Sequence, residues 1–216
     1  MPVRAHSVFL NCPFDERGGY KKLFDPLVFT VYDCGFFVRC GLESIDSGEI
    51  RFNKICQMIR ECPYGIHDIS LIALDPISGL PRFNMPLELG LFLGANAFGR
   101  TRHKVCLVLD TERHRYQKFC SDLAGVDIAA HANQPKKLVR EVRDWLQAQL
   151  NHDVASRRVH REILPDGDVI FGRFREFLKD LPPLCRDRRL NHRRLKFSDF
   201  IPLLEVWLQA HRTFPH

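Results

Sequence analysis

The chain has 216 residues, enough for one large hydrophobic core or for a domain of typical size with an appendage. Hydrophobic residues make up 45% of the sequence and charged residues 27%, a balance that excludes a disordered chain. No apolar stretch approaches the roughly 18 residues of a membrane-spanning helix, and the first residues lack a signal-peptide pattern, so we expect a soluble, cytoplasmic protein without a membrane partner.

The eight cysteines lie in apolar segments and form no CxxC pair. In a cytoplasmic chain this pattern favours buried free thiols over disulfides, and it gives no sign of a zinc site or a redox motif. We therefore expect no metal site.

The formal net charge of +6 raises the question of a nucleic-acid partner. Much of the excess lies in one basic cluster, formed by Arg186, Arg188, Arg189, Arg193, Arg194 and Lys196. No aromatic residue interleaves this cluster, which favours a solvated or acid-partner-facing helix surface over a nucleic-acid groove.

The first half of the chain alternates predicted strands with predicted helices. An apolar run predicts a buried first strand at residues 7–10, and helical spacing predicts a helix at 20–33. A second strand is predicted at 36–41. The next helix begins near residues 46–49 and ends at the Pro63-Tyr64-Gly65 breaker, and a third strand follows at 66–74.

The second half continues the alternation. Asn84 lies at or near the cap of a helix that has Pro86 in its first turn and runs to about Ala97. Further elements are predicted in the order strand 105–109, helix 112–123, edge strand 126–129 and an amphipathic helix from Pro135 to about Leu150. This order predicts an α/β domain over residues 1–150, with five parallel strands wrapped by helices and ligands bound outside the carboxyl ends of the strands.

Residues 151–216 have a different sequence pattern, with aromatic and aliphatic side chains at helical spacing between prolines. We interpret them as a small helical appendage. It either packs on the sheet domain or forms an interface, with a second copy or with a partner protein.

The loop after the first strand is the first candidate for ligand binding. It comprises Asn11, Cys12, Pro13, Phe14 and Asp15, which offer backbone N–H groups, an amide and an aromatic face to a nucleotide. The alternative is a plain turn. Arg39 and Glu43, at the end of the second strand, are a further pair of ligand-binding candidates, although an Arg and a Glu four residues apart can simply pair at the surface.

Polar residues interrupt the third apolar strand at His67-Asp68-Ile69-Ser70. Burying such groups unpaired costs on the order of 1–3 kcal/mol, so a functional site or an internal hydrogen-bond network is needed to explain them.

The sharpest candidate is Glu88, which we place in the first turn of a helix otherwise built of apolar residues and glycine. That position favours the carboxylate anion, which would act as a nucleophile or stabilise a cationic ribosyl transition state. The alternative is a carboxylate that only caps the helix. Asn84 and Met85, just before it, are candidate ligand-binding residues.

The segments Val8 to Asp15, His67 to Ser70 and Asn84 to Gly90 together resemble the bacterial TIR-like and nucleoside 2-deoxyribosyltransferase-like group over about residues 6–150. The resemblance implies a flavodoxin-like sheet and cleavage of an N-glycosidic bond in NAD or a nucleoside. It implies that Glu88 is the central catalytic group and that Asp68 matches the catalytic aspartate after the third strand. It also implies a possible place in anti-phage defence.

One departure from the deoxyribosyltransferase pattern narrows the substrate. Arg82 stands where those enzymes usually have an aspartate, and Asn84-Met85 replaces their Gly-Thr pair. This difference favours an NAD glycohydrolase, or a sensor without catalytic activity, over a deoxynucleoside transferase.

Three hypotheses about function remain open. The leading one is an N-glycosidase that cleaves NAD or a related nucleotide beside Glu88 and requires no cofactor. The second is a non-catalytic nucleotide-sensing module that signals to a partner through its helical tail. The third is a nucleic-acid-binding protein that acts through the basic cluster.

Overall fold

The computed structural model describes residues 6–14, 19–43, 48–72, 74, 79–99, 104–157 and 163–211. Within these ranges, five parallel strands form one sheet at the centre of the molecule. The strands are β1 (Ser7–Asn11), β2 (Phe37–Arg39), β3 (Tyr64–Asp68), β4 (Val105–Asp110) and β5 (Ala129–Ala130).

The strand order is β2-β1-β3-β4-β5, the arrangement of flavodoxin-like folds, in which the order reverses between β1 and β3. All five residues of β1 are buried, as expected for a central strand covered on both faces. The predicted fold class is therefore confirmed.

Helices cover both faces of the sheet. Those within the described residues are α1 (Lys21–Asp33), α2 (Arg51–Glu61), α3 (Asn84–Phe98), α4 (Pro135–Arg157), α5 (Gly167–Asp187) and α6 (Phe197–Ala210). α1 and α4 pack on one face and α2 and α3 on the other. Nowhere in the described part of the chain is a helix both long and apolar enough to cross a membrane.

Alternation along β1 divides the core between the two faces. Val8 and Leu10 belong to a large cluster that includes α1 and α4, whereas Phe9 packs with Ile55 and Phe92 beneath α2 and α3. The same alternation sends neighbouring polar residues at the strand ends to opposite faces.

The predicted helical appendage is confirmed as helical, and its helices share the larger core. Phe29 of α1 lies 5.5 Å from Phe174 and 5.7 Å from Phe177 between ring centroids, and Trp207 of α6 completes the contact at 5.8 Å. Arg173 of α5 forms an ion pair with Asp33 at the end of α1, with 3.0 Å between nitrogen and oxygen. α5 and α6 thus form a third layer outside α1 and α4, and residue 150 lies inside α4.

Several predicted elements differ from the structure. The edge strand, predicted at 126–129, covers Ala129–Ala130. The third strand covers Tyr64–Asp68 instead of 66–74, so the supposed breaker is part of the strand. In place of a helix at 112–123 there are two 3₁₀ turns, Arg115–Lys118 and Ser121–Leu123, because the left-handed backbone of His114 (φ 66°) cannot continue an α-helix. Helix α3 begins at Asn84, with Phe83 at its cap, so Asn84 lies next to the cap as predicted, whereas Glu88 lies in the second turn and not in the first.

The eight cysteines all fall within the described residues and all are free thiols. Cys12, Cys34, Cys40, Cys62 and Cys185 are buried, and the other three are partly exposed. The prediction of free thiols is confirmed, and the predicted burial holds for five of the eight.

Candidate functional site

The candidate site lies at the carboxyl ends of β1 and β3, where the strand order reverses. Asn11 and His67, near the ends of these strands, are direct partners in the strand register. The first turns of α2 and α3 begin at the same edge, so their side chains can reach across it.

Asn11 connects both strands to the start of α3. Its side-chain nitrogen donates to the carbonyl oxygen of Met85 at 2.8 Å and lies 3.0 Å from Nδ1 of His67. Because an amide nitrogen can only donate, Nδ1 of His67 is the acceptor and the ring proton is on Nε2. Burial lowers the pKa of His67 to about 3, so this ring is neutral.

Asp68 lies on the opposite face of the sheet and is fully buried. One carboxylate oxygen accepts the hydroxyl proton of Tyr20, and the other accepts the backbone N–H of Ser70 at 2.9 Å. Nε2 of His131 lies 3.2 Å from the carboxylate, without the angle of a hydrogen bond. Asp68 therefore holds the N-terminal end of α1 and the loop after β3 in place from below the crevice.

Glu88 is the carboxyl group that this arrangement places at the edge of the crevice. It is partly buried, and burial raises its pKa from 4.5 to about 7, while the positive charge of Arg51 acts in the opposite direction. Arg51, the first residue of α2, packs closely against Gly41, because a Cβ at that glycine would lie 3.0 Å from the guanidinium. The guanidinium of Arg51 thus acts on the Glu88 carboxyl group through its charge, with no ion pair formed between the two side chains.

Cys12 follows β1 and is buried in the larger core cluster, together with Tyr20. Burial raises its pKa well above the ordinary value, and the charges of Cys40, Asp68 and Glu88 act in the same direction. The Cys12 thiol is therefore protonated at neutral pH and is no nucleophile.

The remaining residues of the first loop are placed less favourably for a ligand. Pro13 is buried, and the ring of Phe14 packs edge-on against Phe24 at 5.7 Å between centroids. Asp15 lies outside the described residues. Within the next candidate segment, Asn84 is exposed at the start of α3, whereas Met85 contributes its carbonyl oxygen to Asn11 and buries its side chain.

Arg39 and Glu43 are not brought to the Glu88 group. Nε of Arg39 donates to both oxygens of Glu43 at 2.8 Å, and Nη1 donates to Glu61 at 2.8 Å. These contacts satisfy the guanidinium on the outer side of β2, in line with the surface-pair alternative. Their assignment to ligand binding stays a prediction, like that of the other candidate residues.

Sequence reasoning missed three residues of the buried network. Tyr20 and His131 contact Asp68 from distant parts of the chain, and no local pattern distinguishes them from core residues. Asp110 ends an apolar strand just as Asp68 does, so the same sequence pattern could have identified it. Its Oδ1 accepts from Arg115, which also donates to the carbonyl oxygen of Ser70 at 2.7 Å, so β4 and the loop after β3 are joined.

Two further observations bound the site. Among the described residues, no group of three or more His, Cys, Asp or Glu side chains is arranged to hold a metal ion. A separate surface groove between α1 and α5 is lined by Lys21, Lys22, Asp25 and Arg175 and by none of the candidate site residues.

In comparisons with known proteins, no family model matches the chain, and no curated protein sequence matches it. The resemblance to the TIR-like and deoxyribosyltransferase-like group therefore stays a prediction.

Proposed function

We propose that this chain is an N-glycosidase that hydrolyses the glycosidic bond of NAD or a related nucleotide at the β1/β3 crevice. The observation that carries the proposal is Glu88, a partly buried carboxyl group that feels the charge of Arg51 near the reversal point of a flavodoxin-like sheet. The sequence resemblance, in which the same glutamate is the central catalytic group, gives independent support.

The proposed reaction requires little from the protein besides this carboxylate. The bond between C1′ of the ribose and the base nitrogen breaks, and the base leaves with the bonding electron pair. The ribosyl group then carries positive charge, which ionised Glu88 stabilises or traps. Water adds its oxygen to C1′, and its proton passes to the carboxylate or to the departing base.

The surrounding residues have positioning roles in this proposal. Arg51 lies where it would attract the negative charge of a nucleotide phosphate and lowers the pKa of Glu88 toward the ionised form. Asp68 makes no contact with solvent, so its proposed role is to fix Tyr20 and the loop after β3 around the ligand.

The test is release of base from NAD and from nucleosides, followed by chromatography. Glu88→Gln keeps the shape of the side chain and removes its charge, so cleavage is expected to fall by ~10²–10³-fold. Glu176→Gln, an exposed glutamate on α5, is the matched control and is expected to cleave at the wild-type rate. A Glu88→Gln variant that retains near wild-type cleavage removes Glu88 from the mechanism.

A second function, nucleotide sensing without turnover, is favoured by one connection in the structure. Tyr20 bonds to Asp68 below the crevice and immediately precedes α1, which packs against α5 and α6. Under this second proposal, α1 would transmit ligand binding from the crevice to the tail. If wild-type protein releases no base while NAD or another nucleotide raises its melting temperature, sensing replaces cleavage as the better proposal.

A further inference from the structure

Helix α3 is apolar on nearly every side, and Glu88 is its sole charged residue. A helix of this composition is normally buried all round. In this fold one side of it is buried, where Met85, Leu89 and Phe92 pack against the sheet. The composition of α3 therefore calls for a partner on its outer side.

The outer side of α3 presents large apolar groups to solvent. Phe83 is 63% exposed, Leu87 54% and Phe98 90%. Their spacing of about four residues, continued through Gly90 and Gly94, places them in one stripe opposite the buried side. We call these five residues the α3 face.

The α3 face has a regular shape. Gly90 and Gly94 form a notch in the middle, with Leu87 on one side and Phe98 on the other. A Cβ at Gly90 would have no atom within 4 Å, so packing inside this chain does not require glycine there. Glycine weakens a helix relative to alanine, and the close approach of another backbone is a reason for it.

We propose that the α3 face is the interface between two copies of this chain, with the two α3 helices antiparallel across a twofold axis. A second copy fits because the face is complementary to itself: reversing the helix sets Leu87 against Phe98 and Gly90 against Gly94. The face has no charge that would repel its copy.

The exposed area is that of a weak dimer. Scaling roughly 200 Å² for a fully exposed aromatic side chain by the exposed fractions of Phe83 and Phe98, and adding a smaller share for Leu87 and the glycines, gives on the order of 400 Å² of apolar surface on the α3 face. Two copies would bury about 800 Å² in total, less than the roughly 1,000 Å² of a stable specific interface, so the dimer is expected to dissociate on dilution. The dimer would border the crevice, since Glu88 follows Leu87 directly, but the inference does not depend on what the crevice does.

The experiment is size-exclusion chromatography with light scattering on the full chain over a range of concentrations. Wild type is expected to approach twice the mass of one chain at the highest concentrations and to dissociate on dilution. Leu87→Lys and Phe98→Lys are expected at the mass of one chain, with unchanged circular dichroism, because both positions are exposed. Val169→Lys, at a valine of α5 that is 52% exposed, is the matched control and is expected to remain dimeric.

Three results would overturn the proposal. The first is a wild type that has the mass of one chain at every concentration. The second is a dimer that survives both Leu87→Lys and Phe98→Lys, because the interface then lies elsewhere. The third is dissociation by Val169→Lys to the same extent, which would indicate general apolar association.

Discussion

Glu88 is subject to two opposing influences, since burial favours its neutral form and Arg51 favours its ionised form. The balance gives a pKa of about 7, so the carboxyl group changes charge within the physiological range. Both the rate of cleavage and the stability of the fold should therefore depend on pH near 7, and the two dependences should have opposite directions.

If the ionised carboxylate is required, cleavage should increase as pH rises through about 7 and level off above it. Below that value kcat/KM should fall roughly tenfold per pH unit. Arg51→Met removes the nearby cation, so the pKa of Glu88 should rise and the midpoint should move to higher pH. The measurement is kcat/KM for NAD from about pH 5 to pH 9. An unchanged midpoint in Arg51→Met would contradict the electrostatic coupling.

Stability should show the opposite dependence on pH. A carboxyl group whose pKa is raised by folding contributes stability that is present below pH 4.5 and is lost as pH rises through about 7. Glu88→Gln removes this loss, so its melting temperature should exceed that of wild type increasingly as pH rises between those values. Differential scanning fluorimetry on both proteins, with Glu176→Gln as control, measures the difference. A constant difference across the range would mean that Glu88 titrates as it does in the unfolded chain.

At the scale of single residues, sequence reasoning identified polar groups but could not identify their partners. Asp68 was recognisable because a carboxylate at the end of an apolar strand is costly without a hydrogen bond. Its partner Tyr20 is 48 residues away, and the contact exists only because the parallel sheet brings the start of α1 beside the end of β3. Whether Asp68 faced a ligand or the core therefore depended on tertiary structure.

At the scale of elements, the C-terminal end of α2 depends on a buried lysine. Nζ of Lys104 donates to the carbonyl oxygens of Ile59 at 2.6 Å and Cys62 at 2.8 Å, and it lies 5.5 Å from the centre of the Phe92 ring. These are carbonyl groups that a helix leaves without internal partners at its end. Lys104 thus joins the start of β4 to the end of α2.

Lys104→Met should destabilise the protein by about 1–3 kcal/mol, because the side chain keeps its apolar stem while buried carbonyl oxygens lose their donor. Lys118→Met, at an exposed lysine, should change the free energy of unfolding by less than about 0.5 kcal/mol. Urea unfolding with an unchanged slope measures both. Equal effects of the two substitutions would show that Lys104 does not cap α2.

Element boundaries were predictable where the periodicity of the sequence sets them. The prediction failed where a contact with a distant residue sets the boundary. Gly65 looked like a breaker, yet it lies within β3. Glycine is required at this position, because a Cβ would come within 2.6 Å of the His67 side chain and 2.8 Å of the Phe92 ring. The space for a side chain at Gly65 is taken by a residue of α3, which no local pattern reveals. The alternation of strands and helices, in contrast, was sufficient for the parallel sheet.

At the scale of the whole molecule, the sheet and the tail should unfold together. Phe29 of α1 packs against Phe177 and Trp207, so the tail helices cannot leave without exposing the larger core. The chain has two tryptophans, Trp145 in α4 and Trp207 in α6, which allows each part to be observed separately.

Trp145→Phe and Trp207→Phe leave one fluorescent reporter each, and both should give the same denaturation midpoint as circular dichroism of the same variant. Adding Phe177→Ala should lower the stability by about 3–5 kcal/mol and should move both reporters equally, because it removes a fully buried ring. If the fluorescence of Trp207 changes at a lower denaturant concentration than that of Trp145, the tail unfolds as a separate unit. The contacts between the tail and α1 would then contribute little to the stability of the sheet.

The contacts of Phe29 also have a consequence for the order of events during synthesis. The ribosome produces Phe29 of α1 long before Trp207 of α6, so the outer side of α1 stays uncovered while the residues between them are made. The apolar side chains of α1 are accessible to chaperones during that interval, and the contacts that cover α1 have a large sequence separation, which slows folding. Folding of this protein should therefore be completed only after residue 207 has left the ribosome.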